Sequence, residues 1–311
     1  MNRRVSQLRS LLPTLEASLK AFTSSSAKFQ VIRTIPAQSN ATAEIESIEA
    51  QTPSEPKTLF ILDSSYNPPS RAHLALAATA IATAKETRPH RLLFLFSTHN
   101  ADKAPSPASF TQRIAMMIMC AEDLQADPRH SSKVHIDIGL TTAPYYTDKS
   151  LAIENEDPTT YPSRPTHVHL LGYDTLTRFL APKYYKEYDP PLSAVAPFFE
   201  TGHKLLVLLR PDSSSDNAVT GDTEEEQRKY ISDLTHGSLA KEGLKPQWAS
   251  QISILKGERV SEAAGISSTV IRKAAKQHDW NSVSQMCTPG VAEWIKDQGL
   301  YESDASGAKM A

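Results

Sequence analysis

The sequence predicts an α/β fold in which helices cover both faces of a mostly parallel sheet. The first observation is a series of short apolar runs typical of buried strands, at residues 58–62, 91–96, 134–138, 167–171, 204–209 and 252–255. The second is that helical patterns separate several of these runs, at residues 72–85, 110–124 and 175–180. The third is size: 311 residues, 40% of them hydrophobic and 22% charged, suffice for one large α/β domain.

Charge and cysteine content exclude several classes of protein. The formal net charge is −2, so the chain has no general attraction for nucleic acid. Cys120 and Cys287 lie far apart and outside any CxxC motif, which argues against a disulfide framework or a zinc knuckle. No apolar run approaches the roughly 20 residues that a membrane span needs. We therefore expect a soluble cytoplasmic or nuclear protein with no nucleic-acid or membrane partner.

The N-terminal segment has two interpretations. Arg3, Arg4 and Arg9 precede the first acidic residue, Glu16, as in a mitochondrial presequence. The same segment also has the leucine spacing of an amphipathic helix over residues 5–22. We favour the helix, because Glu16 falls inside its pattern, and so favour a cytoplasmic or nuclear location over a mitochondrial one.

The composition divides the chain into three parts. Residues 1–57 are predicted to be an N-terminal helix and a linker, since residues 36–57 are rich in Pro, Ser, Ala, Thr and Glu. Residues 58–301 form the main domain, in which residues 212–226 resemble a mobile acidic insertion. Residues 302–311 are small and polar, and are predicted to be a disordered tail.

A polar turn follows the first apolar run and precedes a helical pattern. Such a turn places backbone N–H groups and a helix N-terminus together, which favours a phosphate group. Ser65 and Tyr66 supply polar side chains within it. Ser70 and His73 are three residues apart, so on a helix they share one face and point at one ligand. The alternative is that His73 is only a capping or surface residue.

A second helix start near the C-terminus has similar chemistry. Ser267, Ser268 and Thr269 can cap the helix or contact a phosphate, and Arg272 lies one turn further on. An arginine there can hold the outer phosphates of a nucleotide through charge-assisted hydrogen bonds. The alternative is an ordinary N-cap with a solvated arginine. Two such starts suggest a nucleotide whose phosphates lie between them.

At this point the chain resembles a known family. Residues 64–73 are similar to the (H/T)xxH-type signature of the nucleotidylyltransferase superfamily, and residues 266–272 match its ISSTxxR signature. Residues 170–176 resemble its GxDxL turn, and residues 289–301 its C-terminal segment. Their order and separation resemble the eukaryotic nicotinamide mononucleotide adenylyltransferases, and in particular a divergent fungal branch. The resemblance covers about residues 58–301 and implies a Rossmann-like, single nucleotidyltransferase domain.

The resemblance implies adenylyl transfer from ATP to nicotinamide mononucleotide, giving NAD and pyrophosphate. It assigns catalytic roles to His73 at the α-phosphate, to Arg272 at the outer phosphates, and to Lys103 as the phosphate-binding lysine after the second strand. Mg²⁺ is implied as a cofactor carried by ATP oxygens and water. For the mononucleotide, the resemblance implies Gly172, Asp174 and Arg210 and the tyrosines Tyr145, Tyr146, Tyr184 and Tyr185.

Two positions depart from the pattern of the family. Ser64 stands where the family usually has glycine, so the closest backbone approach to the nucleotide differs. Ser70 replaces the first histidine of the bacterial form, although the eukaryotic enzymes also have a hydroxyl residue there. The histidines at 130, 135, 167 and 169 lack metal-ligand spacing, so they are predicted to be strand or surface residues and no protein-held metal is expected.

Three alternatives remain open from the sequence alone. A related transferase would use nicotinate mononucleotide or phosphopantetheine as the acceptor. An ATP hydrolase or a regulatory nucleotide-binding protein would keep the phosphate turns without efficient transfer. A non-enzymatic interaction module would use residues 1–50 and the acidic insertion as partner surfaces, but would not need His73, Lys103 and Arg272 together. A homo-oligomeric state also stays open.

Overall fold

A seven-stranded sheet forms the centre of the fold. The computed structural model describes residues 3–37, 55–98, 107–130, 134–156, 159–210, 223–263 and 265–304. The strand order in the sheet is β1-β4-β3-β2-β5-β6-β7, and only β1, which pairs with β4, runs antiparallel to its neighbour. The strands are β1 (Phe29–Ile35), β2 (Thr58–Asp63), β3 (His90–Ser97), β4 (Ile136–Thr141), β5 (Thr166–Gly172), β6 (Lys204–Leu208) and β7 (Ile252–Ile254).

Helices cover both faces of this sheet, which confirms the predicted α/β fold. Side chains alternate along β2: Phe60 and Leu62 join one buried core, and Leu59 and Ile61 join another. The helices are α1 (Arg3–Thr23), α2 (Arg71–Ala82), α3 (Phe110–Ala126), α4 (Tyr146–Asn155), α5 (Tyr173–Phe179), α6 (Ala196–Glu200), α7 (Glu224–Thr235), α8 (Pro246–Ala249), α9 (Glu258–Glu262), α10 (Ser268–Lys276), α11 (Trp280–Met286) and α12 (Pro289–Asp297), with short 3-10 turns at Pro182–Tyr184, Pro191–Val195 and Ala240–Glu242.

The strand order changes direction between β2 and β5. From β2 the chain adds β3 and then β4 on one side, whereas β5, β6 and β7 follow on the other. In sheets of this kind, ligands bind in the crevice beyond the carboxyl ends of the strands at the point of reversal. Asp63 and Gly172 are the last residues of these two strands. The fold thus places the first polar turn and the Gly172 turn beside each other.

The N-terminal segment contributes more to the fold than a helix and a linker. Strand β1, within the part predicted to precede the domain, pairs with β4 at the edge of the sheet. Its burial pattern is irregular, with both ends buried and the middle mostly half-exposed, so it lacks the apolar run that marks the other strands. Most of the predicted linker, residues 38–54, lies outside the described residues.

The predicted N-terminal helix is confirmed as α1. It buries Val5, Leu8, Leu15 and Phe22. Arg4 forms ion pairs with Glu122 and Asp123 of α3, and Arg9 pairs with Asp297 of α12. The basic residues that resemble a presequence therefore hold this helix against two others.

The acidic segment is shorter than predicted at its C-terminal end. Residues 211–222 lie outside the described residues, but Thr223 caps α7, so the Glu224–Glu226 part of the run is helical. The Glu226 carboxylate accepts a hydrogen bond from the Thr223 N–H, while the Thr223 hydroxyl accepts one from the Glu226 N–H. Acidic residues are favourable at this end of a helix. Of the predicted tail, residues 302–304 are described, and residues 305–311 are not.

In the described part of the chain, none of the helices combines the length and the apolar character needed to cross a bilayer.

Three buried histidines should make the stability of the fold depend on pH. Burial lowers the pKa values of His167 and His169 well below 6.5 and that of His203 to about 4. Below pH 6.5 the unfolded chain therefore binds more protons than the folded chain. The free energy of unfolding should fall as pH falls from 6.5 towards 4, by about 1.4 kcal/mol per pH unit for each such histidine.

Urea denaturation between pH 7.5 and 5 measures this slope. His203→Gln should make the slope shallower, whatever it does to stability at pH 7.5, because one buried titrating group is lost. His236→Gln, on the exposed end of α7, is the matched control and should leave the slope unchanged. An unchanged slope in His203→Gln would contradict the prediction.

Candidate active site

The first turn joins β2 to α2 and is held by its own buried side chains. Tyr66 has a φ of 45° and is 0% exposed, and its hydroxyl donates a hydrogen bond to the Leu62 carbonyl oxygen. Its ring packs against Phe94 and His73. The prediction that the Tyr66 side chain faces a phosphate is therefore wrong, because this side chain is buried beneath the turn. Ser65 stays half-buried at the surface of the turn.

His73 lies in the first turn of α2, and its neighbours set its tautomer. Its Nδ1 accepts a hydrogen bond from the Ser70 backbone N–H at 3.1 Å, so Nδ1 carries no proton. The single proton of the neutral ring is then on Nε2, which lies 2.9 Å from Ser64 Oγ. Burial lowers the pKa of His73 to about 4. At neutral pH the residue is an uncharged hydrogen-bond donor.

Ser70 serves this arrangement rather than facing a ligand. It is the N-cap of α2 and only 1% exposed. The Ser70 hydroxyl lies 2.9 Å from His73 Nδ1, the nitrogen that also accepts a hydrogen bond from the Ser70 backbone N–H. The predicted shared face of Ser70 and His73 exists, but Ser70 uses it to orient the imidazole.

The second turn lies directly against the first. Ser267 caps α10 by accepting a hydrogen bond from the Val270 N–H. The Ser268 hydroxyl donates to the Pro68 carbonyl oxygen at 2.8 Å. The first backbone N–H groups of a helix have no acceptor within it. The structure thus brings together two helix N-termini, those of α2 and α10, as expected for a phosphate site.

Arg272 ties the two turns together. It is 7% exposed, and its guanidinium donates to the Asn67 carbonyl oxygen at 2.7 Å and to Thr269 Oγ1 at 3.2 Å. The Tyr301 hydroxyl donates to Asn67 Oδ1 at 2.9 Å. Burial lowers the pKa of Arg272, but an arginine stays charged at any physiological pH. The prediction for Lys103 lies outside the described residues.

Sequence analysis missed a second arginine at the first turn. Arg113, near the start of α3, donates to the carbonyl oxygens of Ala108 at 3.1 Å and Ser65 at 3.5 Å. Its guanidinium lies 5.4 Å from the Phe110 ring centre. Burial and the nearby positive charge of Arg272 both lower its pKa. Two like charges this close favour an anion between or beside them. The only signal in the sequence is an arginine at the start of a helix that follows the Lys103 loop.

The end of β5 carries the predicted mononucleotide residues. Gly172 has an ordinary φ of −83°, and a Cβ placed there would meet no atom within 4 Å. Arg210 forms an ion pair with Asp174 Oδ2. The other carboxylate oxygen, Asp174 Oδ1, is buried and has no hydrogen-bond partner among the described residues. Gln227 of α7 holds the backbone of Arg210 through two hydrogen bonds. At the end of β5, the open space in front of Gly172 therefore lies close to Asp174 Oδ1, a hydrogen-bond acceptor without a partner among the described residues.

The four predicted tyrosines divide into two kinds. Tyr145 caps α4 and is 46% exposed, and its ring centre is 6.3 Å from that of the buried Tyr185. Tyr184 is exposed and lies beneath the Lys183 ammonium group. Tyr146 is half-buried and packs edge-on against His169 and Phe179 at the margin of the core. Tyr145, with Tyr185 behind it, is the aromatic pair that a ring-shaped ligand could reach.

A buried ion pair joins the end of β2 to α4 beside the candidate site. Lys149 Nζ of α4 lies 2.5 Å from Asp63 Oδ2, and the two side chains are 4% and 5% exposed. Asp63 Oδ1 has no hydrogen-bond partner. Removing one member of such a pair costs about 3–5 kcal/mol, because the other charge stays buried. The pair therefore fixes α4, and Tyr145 with it, to the end of the central strand. In the sequence, an aspartate at the end of an apolar run indicates a buried charge that needs a partner. The sequence does not identify this partner, which lies 86 residues away.

Glu154, His167 and His203 lie close enough to suggest a metal site, but their geometry argues against one. Their possible ligand atoms are within 4.8 Å of one another. However, His203 Nδ1 accepts a hydrogen bond from the His167 backbone N–H, so the proton is on Nε2, which faces Glu154 Oε1 at 3.1 Å. The two imidazole rings are stacked at 4.2 Å and 10°, so their lone pairs do not converge. Both histidines are buried, and His167 lies on a strand, which is one of the two places predicted for it.

A cavity of about 570 Å³ lies elsewhere, between α2, the end of α3 and α9. Arg71, Leu74, Asp127, Arg259 and Ile266 are among the residues that line it, and none of the predicted site residues does. The candidate site is instead the crevice at the ends of β2 and β5.

Comparison with known proteins gives one strong similarity in sequence. No family model matches the chain. A Schizosaccharomyces pombe protein named "Putative nicotinamide mononucleotide adenylyltransferase" is 30% identical over 242 residues, which is 77% of this chain and 84% of that protein. Two solved structures of Plasmodium falciparum nicotinic acid mononucleotide adenylyltransferase, complexed with NaAD and with APC, are 16% and 14% identical. Each covers 80% of this chain and 100% of its own, with TM-scores of 0.46 and 0.44.

Proposed function

Since the chain belongs to the nicotinamide mononucleotide adenylyltransferase family, we propose that it transfers the adenylyl group of ATP to nicotinamide mononucleotide, forming NAD and pyrophosphate, and that it also accepts nicotinate mononucleotide. The observation that carries this proposal is the contact between the two turns. Ser268 and Arg272 bind the carbonyl groups of Pro68 and Asn67, so two helix N-termini meet beside His73. A nucleotide whose α-phosphate lies at this meeting point has its outer phosphates beside α10.

The proposed reaction needs no general base. An oxygen of the mononucleotide 5′-phosphate attacks the α-phosphorus of ATP in line, and the bond from that phosphorus to the β-phosphate oxygen breaks as pyrophosphate leaves. The attacking oxygen is already an anion, so the protein has to bring two anions together and stabilise the charge on the transferring group. His73 suits this task, because its neutral ring supplies a hydrogen-bond donor at Nε2 without needing to exchange a proton.

We assign the β- and γ-phosphates of ATP to the start of α10. The hydroxyl of Ser268 is already bound to Pro68, and that of Thr269 accepts from Arg272. These residues and Ser267 would therefore contact phosphate mainly through backbone N–H groups, with the positive charge of Arg272 behind them. Lys103 is proposed to add a further cation from its loop, and Ser65 a contact from the first turn.

Mg²⁺ fits this site as part of the ATP complex. The described residues of the two turns offer arginine, serine, threonine and backbone N–H groups, which suit phosphate and not a cation. The nearby carboxylate of Asp63 is already paired with Lys149. The ion, held by phosphate oxygens and water, would neutralise charge on the phosphates.

The mononucleotide is proposed to lie across the end of β5. The space in front of Gly172 admits the ligand, and Asp174 Oδ1 can accept a hydrogen bond from a ribose hydroxyl. Arg210, partly exposed beside Asp174, can contact the phosphate, and Tyr145 can stack on the pyridine ring. We also propose a cytoplasmic or nuclear location, which agrees with the use of Arg4 and Arg9 in ion pairs of the fold.

Product analysis tests the proposed function directly. The protein, ATP and Mg²⁺ are incubated with nicotinamide mononucleotide, and the products are separated by chromatography. We expect NAD and pyrophosphate in equal amounts, and the corresponding nicotinate dinucleotide when nicotinate mononucleotide is supplied. ADP and phosphate formed without any mononucleotide, and no dinucleotide, would contradict the proposal and indicate an ATP hydrolase.

His73→Ala should lower kcat about 10²–10³-fold and leave the KM for ATP nearly unchanged. The reason is that the donor on His73 acts on charge that develops during transfer, not on bound ATP. Steady-state kinetics of NAD formation measures both constants, and His236→Ala on α7 is the control. A rise in the KM for ATP that accounts for the whole loss would show instead that His73 binds the ground state.

Gly172→Ala should impair binding of the mononucleotide without destabilising the fold. A methyl group there meets no protein atom within 4 Å and the backbone angle is ordinary, so the melting temperature should stay within about 1–2 °C. The KM for the mononucleotide should rise roughly tenfold or more, while the KM for ATP changes little. Gly202→Ala, at a φ of 89°, is the opposite control, with lower stability and unchanged KM values. Unchanged kinetics in Gly172→Ala would place the mononucleotide elsewhere.

A further inference from the structure

We propose that Ser64 is the residue that contacts the transferring phosphoryl group, and that His73 acts on this group through the Ser64 hydroxyl. This inference rests on the proposed function and specifies how its donor reaches the substrate. The hydrogen-bond chain runs from the Ser70 N–H to His73 Nδ1, from His73 Nε2–H to Ser64 Oγ, and from the Ser64 O–H to a phosphate oxygen. The first two bonds are present in the structure at 3.1 and 2.9 Å.

His73 has no second proton to offer to a phosphate. A neutral imidazole carries one N–H, and the backbone N–H of Ser70 occupies Nδ1 as a donor. The remaining N–H is therefore on Nε2 and points to Ser64 Oγ. A direct contact between His73 and phosphate would require the ring to give up Ser64. The buried ring of Tyr66, with its centre 5.6 Å from that of the imidazole, restricts such a movement.

The Ser64 hydroxyl is free to donate. When Oγ accepts the hydrogen bond from Nε2–H, the hydroxyl proton of Ser64 is left for another acceptor. Ser64 is half-buried and directly follows the last residue of β2, and its backbone N–H donates to the Leu95 carbonyl oxygen at 3.2 Å. The hydroxyl therefore sits on a fixed backbone at the crevice where the phosphates are proposed to meet.

The energetics also favour the chain of hydrogen bonds. Hydrogen bonds in a chain polarise one another, so a hydroxyl that accepts from an imidazole N–H becomes a better donor to an anion. Direct contact would break the bond between His73 and Ser64, whereas the chain keeps every bond and adds one. No proton changes its covalent partner: the Ser64 O–H stays intact while the new bond to the α-phosphorus forms and the bond to pyrophosphate breaks.

This role depends on a residue that departs from the usual pattern of the family. The family pattern that the sequence resembles has glycine where Ser64 stands, and a glycine leaves the histidine N–H to face the phosphate directly. In this chain the hydroxyl fills that space, so the donor comes from a different residue.

A double-mutant cycle on NAD formation tests the inference. Ser64→Ala should lower kcat about 10²-fold and change the KM for ATP less than about threefold. Ser64→Thr, which keeps the hydroxyl, should retain most of kcat. The double variant Ser64→Ala with His73→Ala should be within about threefold of the slower single variant, because both changes break the same chain. Ser10→Ala, an exposed serine on α1, is the control.

Two outcomes would overturn the inference while leaving the proposed function in place. If Ser64→Ala keeps or raises kcat, the Ser64 hydroxyl is not the donor and His73 contacts the phosphate directly. If the losses of the two single variants multiply in the double variant, the two residues act independently. The melting temperature of Ser64→Ala, compared with that of the Ser10→Ala control, guards against a folding defect. A wild-type protein that forms no NAD would overturn the proposed function, and this inference with it.

A readout without turnover completes the test. In ¹⁵N-labelled free protein, the Nε2–H of His73 should give a slowly exchanging signal when Ser64 accepts its hydrogen bond. Ser64→Ala should shift this signal and speed its exchange with solvent, and Ser64→Thr should restore it. A signal that does not respond to Ser64→Ala would show that the contact between His73 and Ser64 is absent in solution, which would overturn the inference.

Discussion

The hydrogen bonds from Arg272 and Ser268 to the carbonyl oxygens of Asn67 and Pro68 are the contacts on which the candidate site depends. They join segments 205 and 200 residues apart in the chain. Asn67 is almost fully buried, and a buried carbonyl without a donor is costly, so the first turn needs α10 as much as α10 needs the turn. Two helix N-termini consequently meet at one place, where either alone would be only a capped helix. Tyr301, which follows α12, strengthens the same contact by donating to Asn67 Oδ1.

Charge is distributed around this contact in a consistent way. Arg113 and Arg272 bring two guanidinium groups to the first turn. Each donates hydrogen bonds to backbone carbonyl groups, which offsets part of the free-energy cost of burying its positive charge. The carboxylate of Asp63, the last residue of β2, is neutralised by Lys149. His73 is neutral because burial and the Ser70 N–H both oppose its protonation. The crevice therefore has two positively charged arginines and an uncharged histidine donor. This combination suits the two phosphate-bearing substrates proposed for it.

Much of this could be predicted from the sequence, because the relevant signals are local. An apolar strand, a proline-stiffened turn and a helix with serine and histidine at its start are readable in residues 58–73, and the serine-rich start of α10 is readable in the same way. The contacts that could not be predicted join distant parts of the chain. Tyr66 is polar in sequence but becomes buried because Phe94 and His73 close over it. Asp63 and Lys149, and the edge strand β1 on β4, likewise depend on partners that no local pattern identifies.

The pairing of β2 with β5 explains why the two halves of the site can work together. Leu62 is opposite Leu170 in the parallel register, so the ends of the strands leave the sheet side by side. Neighbouring strands are about 4.8 Å apart, so groups carried at the two strand ends lie near one another. The end of β2 leads to Ser64, His73 and the phosphate turns, and the end of β5 leads to Gly172 and Asp174. In the proposed reaction, a ligand at each strand end would meet the other at the sheet edge, and backbone pairing rather than mobile side chains would set their approach.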